Sequence, residues 1–363
     1  MVSPSPSLDR EFIRHLPKVH LHDHLDGGLR PTTILELASE HGIALPAAEP
    51  RELAAWFHRG AQRGSLPLYL EGFAVTTSVM QTKDALRRVA RERAQDLGRD
   101  GVVYSEVRFA PILHLQRGLN LEEVVSAVLE GLEEGSRESG MVCRLIICAM
   151  RNMDSTVSLE MAELAVDFRD RGVVGFDIAG DEFGHPPKRH IEAFQYLRQQ
   201  NFNITIHAGE AFGLGSIWQA IQVCGAHRVG HATRLYEDMQ VRSDGTRALG
   251  TLAQYVLDKR IPLEMCLSSN VHTGAAPSFA EHPFPHYFRL GFRVVLNTDN
   301  DLMSGTNLTE EWWLAHHHYG LGVADLRVLA INGARSAFLS YTERRRILHE
   351  RILPRFDELL RKG

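Results

Sequence analysis

The sequence predicts an α/β fold, a single (β/α)8 barrel with extra helices inserted after the first strand. Short apolar runs alternate with amphipathic stretches of helical period along the 363 residues, and strands that alternate with helices form parallel βα units. Most of the runs end in a cluster of His, Asp, Glu, Asn or Gly. In this fold the carboxyl ends of the strands form the active-site face, so these clusters are predicted to meet at one rim.

The eight predicted strands follow the apolar pattern. They are Val19–His24, Val102–Ala110, Arg144–Met150, Val173–Ala179, Ile204–Ala208, Arg228–His231, Pro262–Cys266 and Arg293–Thr298. The predicted helices between them include Leu121–Glu134, Thr156–Arg171, Ile217–Val223 and Thr246–Asp258.

The segment from residue 25 to residue 101 is too long for a single crossover between two strands. Additional helices that cover the barrel mouth are therefore predicted there. Within it, Phe57, Leu66, Tyr69 and Phe73 either form an apolar lid or belong to a plain helical core.

The composition is typical of a soluble globular protein. The net charge is −5, which argues against a nucleic-acid-binding protein that relies on positive charge. The chain has no run of 18 apolar residues and no signal peptide, so no membrane partner is predicted. Four cysteines in apolar surroundings indicate reduced thiols and a cytoplasmic protein. Residues 1–12 are predicted to be a disordered tail and residues 13–363 a single catalytic domain, while the oligomeric state is not predicted.

The 19 histidines point to metal binding, because histidine is the commonest metal ligand. His20, His22 and His24 alternate along the first strand and share one face, and the last two are nearest the rim. His207 and Asp299 stand at the ends of two other strands. Each residue alone has a structural explanation, such as a surface strand or a helix cap. Together, His22, His24, His207 and Asp299 offer three nitrogens and one oxygen with room for a water, as in catalytic zinc sites.

Two further residues stand where they can move protons. Glu210 closes the motif His207-Ala-Gly-Glu210, whose glycine permits a tight turn that brings the carboxylate over the site. The alternative is an acidic residue in the first turn of a helix. His231 ends the sixth strand, where it is predicted to orient a hydroxide or to stabilise charge.

Several motifs occur in the order and spacing of one known family. They are His22-x-His24-Leu-Asp26-Gly27, Gly175-Phe-Asp177-Ile-Ala-Gly180-Asp-Glu, His207-Ala-Gly-Glu210, Gly230-His231, Glu264-Met-Cys-Leu-Ser-Ser-Asn270 and Asn297-Thr-Asp299. On these motifs the chain resembles the adenosine deaminase family over residues 16–338, and it looks most like the actinobacterial members. The resemblance implies a barrel that holds one zinc ion, although another divalent transition metal fits the same ligands.

The resemblance also implies hydrolytic deamination of adenosine, and of deoxyadenosine, to inosine and ammonia. A zinc-activated hydroxide would attack C6 of the purine, while Glu210 protonates N1 and His231 partners the hydroxide. The four metal ligands carry over position by position. Asp26 would hold the 5′ end of the ribose, Gly180 would meet the purine through its backbone N–H, and Asn300 would meet N7.

Other acidic residues are candidates for supporting roles. Asp177 and Glu264 are predicted to hold the groups of the site in place. For Glu264, a contact with His231 and a purely structural role both stay open. The pair Asp181–Glu182 is predicted to cap a βα loop and to do nothing more.

Three positions depart from the common pattern of the family. Asn300 stands where many members have aspartate, and its amide still donates to N7. Ala232 follows His231 where glycine is usual, which costs strain if φ is positive. Leu267 replaces a usual proline, with an effect on packing only. Two alternatives therefore stay open: a deaminase of another 6-aminopurine nucleoside or base, such as adenine or an aminodeoxyfutalosine-like nucleoside, and a purine-nucleoside-binding homologue with weakened catalysis.

Overall fold

The computed structural model describes residues 8–241 and 247–362, and parallel strands form its centre. The strands of this central structure are β1 Lys18–His24, β2 Val102–Phe109, β3 Val142–Met150, β4 Val173–Ala179, β5 Thr205–Ala208, β6 Arg228–His231, β9 Leu263–Met265 and β10 Val294–Leu296. Two other strands, β7 Met239–Val241 and β8 Arg247–Leu249, form a separate antiparallel hairpin. All eight predicted strands are confirmed, with ends that differ by no more than two residues.

The parallel strands close into a barrel. They form two four-stranded sheets, in the orders β1-β2-β3-β4 and β10-β9-β6-β5. Parallel bridges from Asp23 to Asp299 and from Phe176 to Ile204 join the two sheets at both edges. The predicted fold class is therefore confirmed, and the end of β1 lies beside the segment that follows β10.

Helices surround the barrel and cover its mouth. The α-helices of the described ranges are α1 Arg10–Arg14, α2 Pro31–His41, α3 Pro50–Ala61, α4 Leu66–Leu70, α5 Phe73–Val79, α6 Lys83–Arg99, α7 Leu121–Ser139, α8 Ser155–Asp167, α9 Ile191–Gln199, α10 Leu214–Trp218, α11 Thr251–Asp258, α12 Leu267–His272, α13 Phe284–Arg289, α14 Asp301–Ser304, α15 Leu308–Tyr319, α16 Val323–Ser336, α17 Tyr341–Arg346 and α18 Leu353–Lys362. Helices α2 to α6 fall between β1 and β2, which confirms the predicted insertion. None of the helices in the described ranges has the length and apolar character needed to cross a bilayer.

The barrel interior contains a layer of charged side chains, all at most 1% exposed. Arg108 lies 2.6 Å from a carboxylate oxygen of Asp177 and 2.9 Å from one of Glu264. Arg228 lies 2.6 Å from Glu106 and 2.5 Å from Glu264. Buried charges persist only when they are paired, so this layer ties the four strands β2, β4, β6 and β9 together below the rim.

Two local predictions need correction. Residues 10–12, predicted to lie in a disordered tail, belong to helix α1, because the Asp9 side chain accepts a hydrogen bond from Phe12 N at 2.8 Å and caps the helix. Residues 1–7 lie outside the described residues. The helix predicted from residue 246 begins only at Thr251, because Arg247–Leu249 pairs in the hairpin and the Asp238 carboxylate accepts from Ala253 N at 2.8 Å. Residue 246 lies outside the described ranges.

Candidate active site

Three histidines and one aspartate meet at the rim where the strands end. His22 and His24 lie on β1, His207 lies on β5, and Asp299 follows β10. Their potential ligand atoms all lie within 4.8 Å of one another, and all four residues are buried. Strand closure between β1 and the segment after β10 therefore brings together all four residues that the sequence singled out as metal ligands.

The spacing of these atoms fits a metal ion. His24 Nε2 lies 3.1 Å from His207 Nε2, and Asp299 Oδ1 lies 3.2 Å from His22 Nε2 and 3.3 Å from His24 Nε2. Ligands at ~2.0–2.1 Å from a tetrahedral metal are separated by about 3.3 Å. His22 Nε2 is buried and has no hydrogen-bond partner in the described part of the chain. A divalent cation among these donors would satisfy that orphaned nitrogen.

Two buried carboxylates orient the histidines from behind. Glu264 Oε2 lies 2.8 Å from His22 Nδ1, and Asp177 Oδ2 lies 2.9 Å from His207 Nδ1. A carboxylate on Nδ1 leaves Nε2 free to face a metal. The alternative in which Glu264 partners His231 is wrong, because its carboxylate contacts His22.

Two residues without a predicted role also support the site. The Asn270 amide nitrogen donates to His231 Nδ1 at 2.9 Å, which places the ring proton on Nε2. The Ser269 hydroxyl donates to Asp299 Oδ2 at 2.6 Å. Both residues lie in α12 and follow β9 within five residues. Their place after a strand end was the available signal, since this is where the other functional side chains stand.

Glu210 and His231 face each other next to the cluster. Glu210 Oε2 lies 3.6 Å from His231 Nε2, and both side chains are buried. Burial raises the pKa of Glu210 well above its ordinary value, and the charges of Asp299 and Glu182 raise it further. Burial also lowers the pKa of His231 well below its ordinary value. Burial thus favours the protonated carboxyl at Glu210 and the neutral imidazole at His231.

Backbone strain accompanies these side chains. His231, Ala232 and Asp299 have φ angles of 63°, 54° and 67°, in the left-handed region. The strain foreseen at Ala232 is therefore present. The N–H of Ala232 donates to Ala208 O at 3.0 Å and to Gly230 O at 2.9 Å. These two hydrogen bonds hold the turn after β6 in place.

A cavity opens above the cluster. Asp26, Gly180 and Asn300, the predicted substrate-binding residues, all line it together with Glu210 and His231. Its apolar walls are formed by Leu66, Tyr69, Leu70, Phe73, Ala110, Leu113, Met150 and Ala179. Three of the four predicted lid residues thus lie in the cavity wall, whereas Phe57 belongs to the buried core.

Two polar side chains in the cavity have capacity left for a ligand. Burial raises the pKa of Asp26 to about 7. Asp26 Oδ1 and Asn300 Oδ1 are buried without hydrogen-bond partners in the described ranges. Asn300 lies so close to Gly27 that a Cβ there would be 1.9 Å from its Oδ1. The glycine of the first motif therefore leaves the space that Asn300 occupies.

This chain is similar to known proteins over nearly its whole length. The sequence pattern of the family described as adenosine deaminase matches residues 17–353. Adenosine deaminase 1 of Streptomyces coelicolor is 54% identical over 99% of this chain and 91% of its own length. An adenosine deaminase of Mycobacterium ulcerans is 52% identical over 98% of this chain and 99% of its own. The crystal structure of an adenine deaminase from Arthrobacter aurescens superposes with a TM-score of 0.84 at 25% identity, over 95% of this chain and 99% of that one. This chain belongs to the adenosine deaminase family.

Proposed function

We propose that this protein is a zinc-dependent enzyme that hydrolyses adenosine, and deoxyadenosine, to inosine and ammonia. The observation that carries the proposal is the cluster of three histidines and one aspartate, with the buried Glu210 carboxyl beside it at the base of a largely apolar cavity. The 52–54% identity to proteins named adenosine deaminase supports adenosine as the substrate. The partner is accordingly a small purine nucleoside.

The residues divide the chemistry among them. We assign His22, His24, His207 and Asp299 as the ligands, and zinc when bound would activate a water molecule at neutral pH. Glu210 gives its proton to N1 of the purine. Protonation of N1 withdraws electrons from C6 and makes this carbon more electrophilic toward water. His231 Nε2–H then orients or stabilises the oxygen that adds. The proton of the added hydroxyl group passes to the amino group, which leaves C6 as ammonia, and the other proton of the water restores Glu210.

Three residues position the substrate in this proposal. Asn300 donates from its side-chain amide to N7, and the Gly180 N–H meets the ring. Asp26 accepts from the ribose 5′-hydroxyl, which supplies the partner that its buried Oδ1 lacks. A free base would leave Asp26 without a partner, and this favours a nucleoside over adenine.

The test is ammonia release from adenosine, deoxyadenosine and adenine by the purified enzyme, before and after chelation and zinc restoration. We expect rapid, chelator-sensitive release from both nucleosides and slow release from adenine. Asp26→Asn should raise KM for adenosine and leave the adenine rate unchanged. Faster turnover of adenine than of adenosine would refute the substrate assignment, and no release from any of them by zinc-loaded protein would favour a binding homologue with weakened catalysis.

We also propose that residues 13–363 act as one catalytic domain and that the enzyme is cytoplasmic. The continuous barrel, whose strands extend from residue 18 to residue 296, supports the first statement. The four buried free cysteines support the second, because oxidising compartments favour disulfides.

A further inference from the structure

One buried carboxylate joins the loop after β4 to the loop after β5. Glu182 is 3% exposed. Its Oε1 accepts a hydrogen bond from Gly209 N at 2.7 Å, and its Oε2 accepts from Glu210 N at 2.9 Å. Ala211 N and Phe212 N also donate to Oε2, at 2.6 and 2.9 Å. Four successive backbone N–H groups thus converge on one side chain.

The loop after β5 is shaped to receive an anion. Gly209 has a φ of +75°, and a left-handed residue at this point curves consecutive N–H groups toward one centre. Glu182 occupies that concavity, where one carboxylate replaces the separate partners that the four converging N–H groups would otherwise need. The conformation of the loop therefore depends on Glu182.

A buried arginine holds the backbone just before this loop. Arg151 is 1% exposed, and it donates to the His207 carbonyl oxygen at 2.5 Å. Burial lowers the pKa of Arg151 below its ordinary value, and the negative charge of Glu182 opposes that shift. Arg151 thus holds the carbonyl of His207, and the charge of Glu182 helps to keep Arg151 protonated there.

The position of Glu182 links two groups that face the cavity. Gly180 lies two residues before Glu182 in the loop after β4, and Glu210 lies on the loop that Glu182 holds. We propose that Glu182 is a positioning residue for the deamination, because its carboxylate fixes the Glu210 backbone relative to Gly180 so that both meet the same purine ring. This inference depends on the proposed function, and it goes beyond the simple loop cap that the sequence predicted for Asp181–Glu182.

The test compares Glu182→Gln and Glu182→Asp with Asp181→Asn, a matched change in the neighbouring acid, whose contact is with Phe183 N at 3.1 Å. The glutamine places an N–H₂ group against at least one N–H donor, and the aspartate keeps the charge but is shorter. Because a shift of ~1 Å in a catalytic group costs about 100-fold, we expect kcat for adenosine to fall about 100-fold in Glu182→Gln and less in Glu182→Asp. Asp181→Asn should stay within threefold of the wild type.

A second measurement separates positioning from loss of structure. An adenosine analogue with carbon in place of N1 makes no use of the Glu210 proton, so its inhibition constant should stay within threefold of the wild-type value in Glu182→Gln, at unchanged bound metal. An equal loss of analogue binding and of kcat would show a collapsed cavity and overturn the inference, as would a kcat within threefold of the wild type.

Hydrogen exchange on the wild-type protein gives a result even if the variants do not fold. The amides of residues 209–212 should exchange slowly, because they are bonded to a buried carboxylate. Exchange of these amides as fast as in an unprotected loop would refute the proposal that Glu182 holds this loop. If the wild-type protein released no ammonia from adenosine, the proposed function would be refuted instead. The exchange measurement would still show whether Glu182 holds residues 209–212.

Discussion

Replacing Glu264 with glutamine should weaken both the barrel and the metal site. The Glu264 carboxylate is fully buried and receives contacts from Arg108 at 2.9 Å, Arg228 at 2.5 Å, Thr205 at 2.9 Å and His22 at 2.8 Å. Burial raises its pKa, but Arg228, Arg108 and His22 together outweigh burial and hold the pKa well below its ordinary value. The carboxylate is therefore charged in the native protein, and the amide would leave two buried cations short of an anion.

The expected losses follow from the two kinds of contact. Breaking a buried ion pair costs about 3–5 kcal/mol of unfolding free energy. Losing the carboxylate behind a ligating histidine costs about 10–100-fold in metal affinity. Urea unfolding of the metal-free protein measures the first effect, and competition with a chelator measures the second.

Glu106→Gln is the matched control. Glu106 belongs to the same buried layer, where it contacts Arg228 at 2.6 Å and Tyr104 at 2.8 Å. We expect a comparable loss of stability and an unchanged metal affinity. Equal metal affinities in Glu264→Gln and the wild type would refute the argument that Glu264 orients His22.

Three further predictions follow from single buried groups. Glu210→Gln should lower kcat by about 10²–10⁴-fold with little change in KM, since it removes only the proton donor; undiminished turnover would contradict the acid role. Burial raises the pKa of Glu311 to about 7, so its contribution to stability is complete below the unfolded value of 4.5 and is lost as the pH rises through 7. Relative to Glu311→Gln, the unfolding free energy of the wild type should therefore fall by up to about 3 kcal/mol between pH 4.5 and 7, a trend that pH-independent differences in urea unfolding would exclude. Ala232→Gly relieves about 1–2 kcal/mol of left-handed strain, but it removes a buried methyl group and raises the conformational entropy of the unfolded chain. Because these effects oppose one another, the free energy of unfolding should change by less than about 1 kcal/mol. A larger change in urea unfolding would contradict this balance.

Most of the site residues could be predicted because they stand at the ends of predicted strands. An apolar run that ends in polar residues indicates both a strand and its rim, so His22, His207 and Asp299 could be placed at one face before their distances were known. The closure of the barrel then follows from the number of strands, although the pairing of Asp23 with Asp299 that brings two of these ends together does not.

The contacts across the barrel interior could not be predicted in the same way. The alternation of side chains along β9 predicts that Glu264 points into the barrel. The histidine that it contacts depends on the stagger between β1, β9 and β10, which the sequence does not show. The same limit applies to Asn270 and Ser269, whose short helix has no periodic signal. The sequence predicts only a loop cap at Asp181–Glu182, because the four N–H groups that converge on Glu182 depend on the turn at Gly209, which no apolar pattern encodes.

Three residues at the strand ends have a strained backbone, and neighbouring hydrogen bonds are needed to hold them in that conformation. His231, Ala232 and Asp299 each adopt a left-handed conformation that costs a non-glycine residue about 1–2 kcal/mol. A turn of this kind persists only where neighbouring bonds over-determine it. At Asp299 the N–H donates to His22 O at 3.1 Å and the carbonyl accepts from His24 N at 2.9 Å. The same backbone bonds that close the barrel thus hold the aspartate against the two histidines, so a change that loosens this closure should disturb the metal site before it disturbs the core.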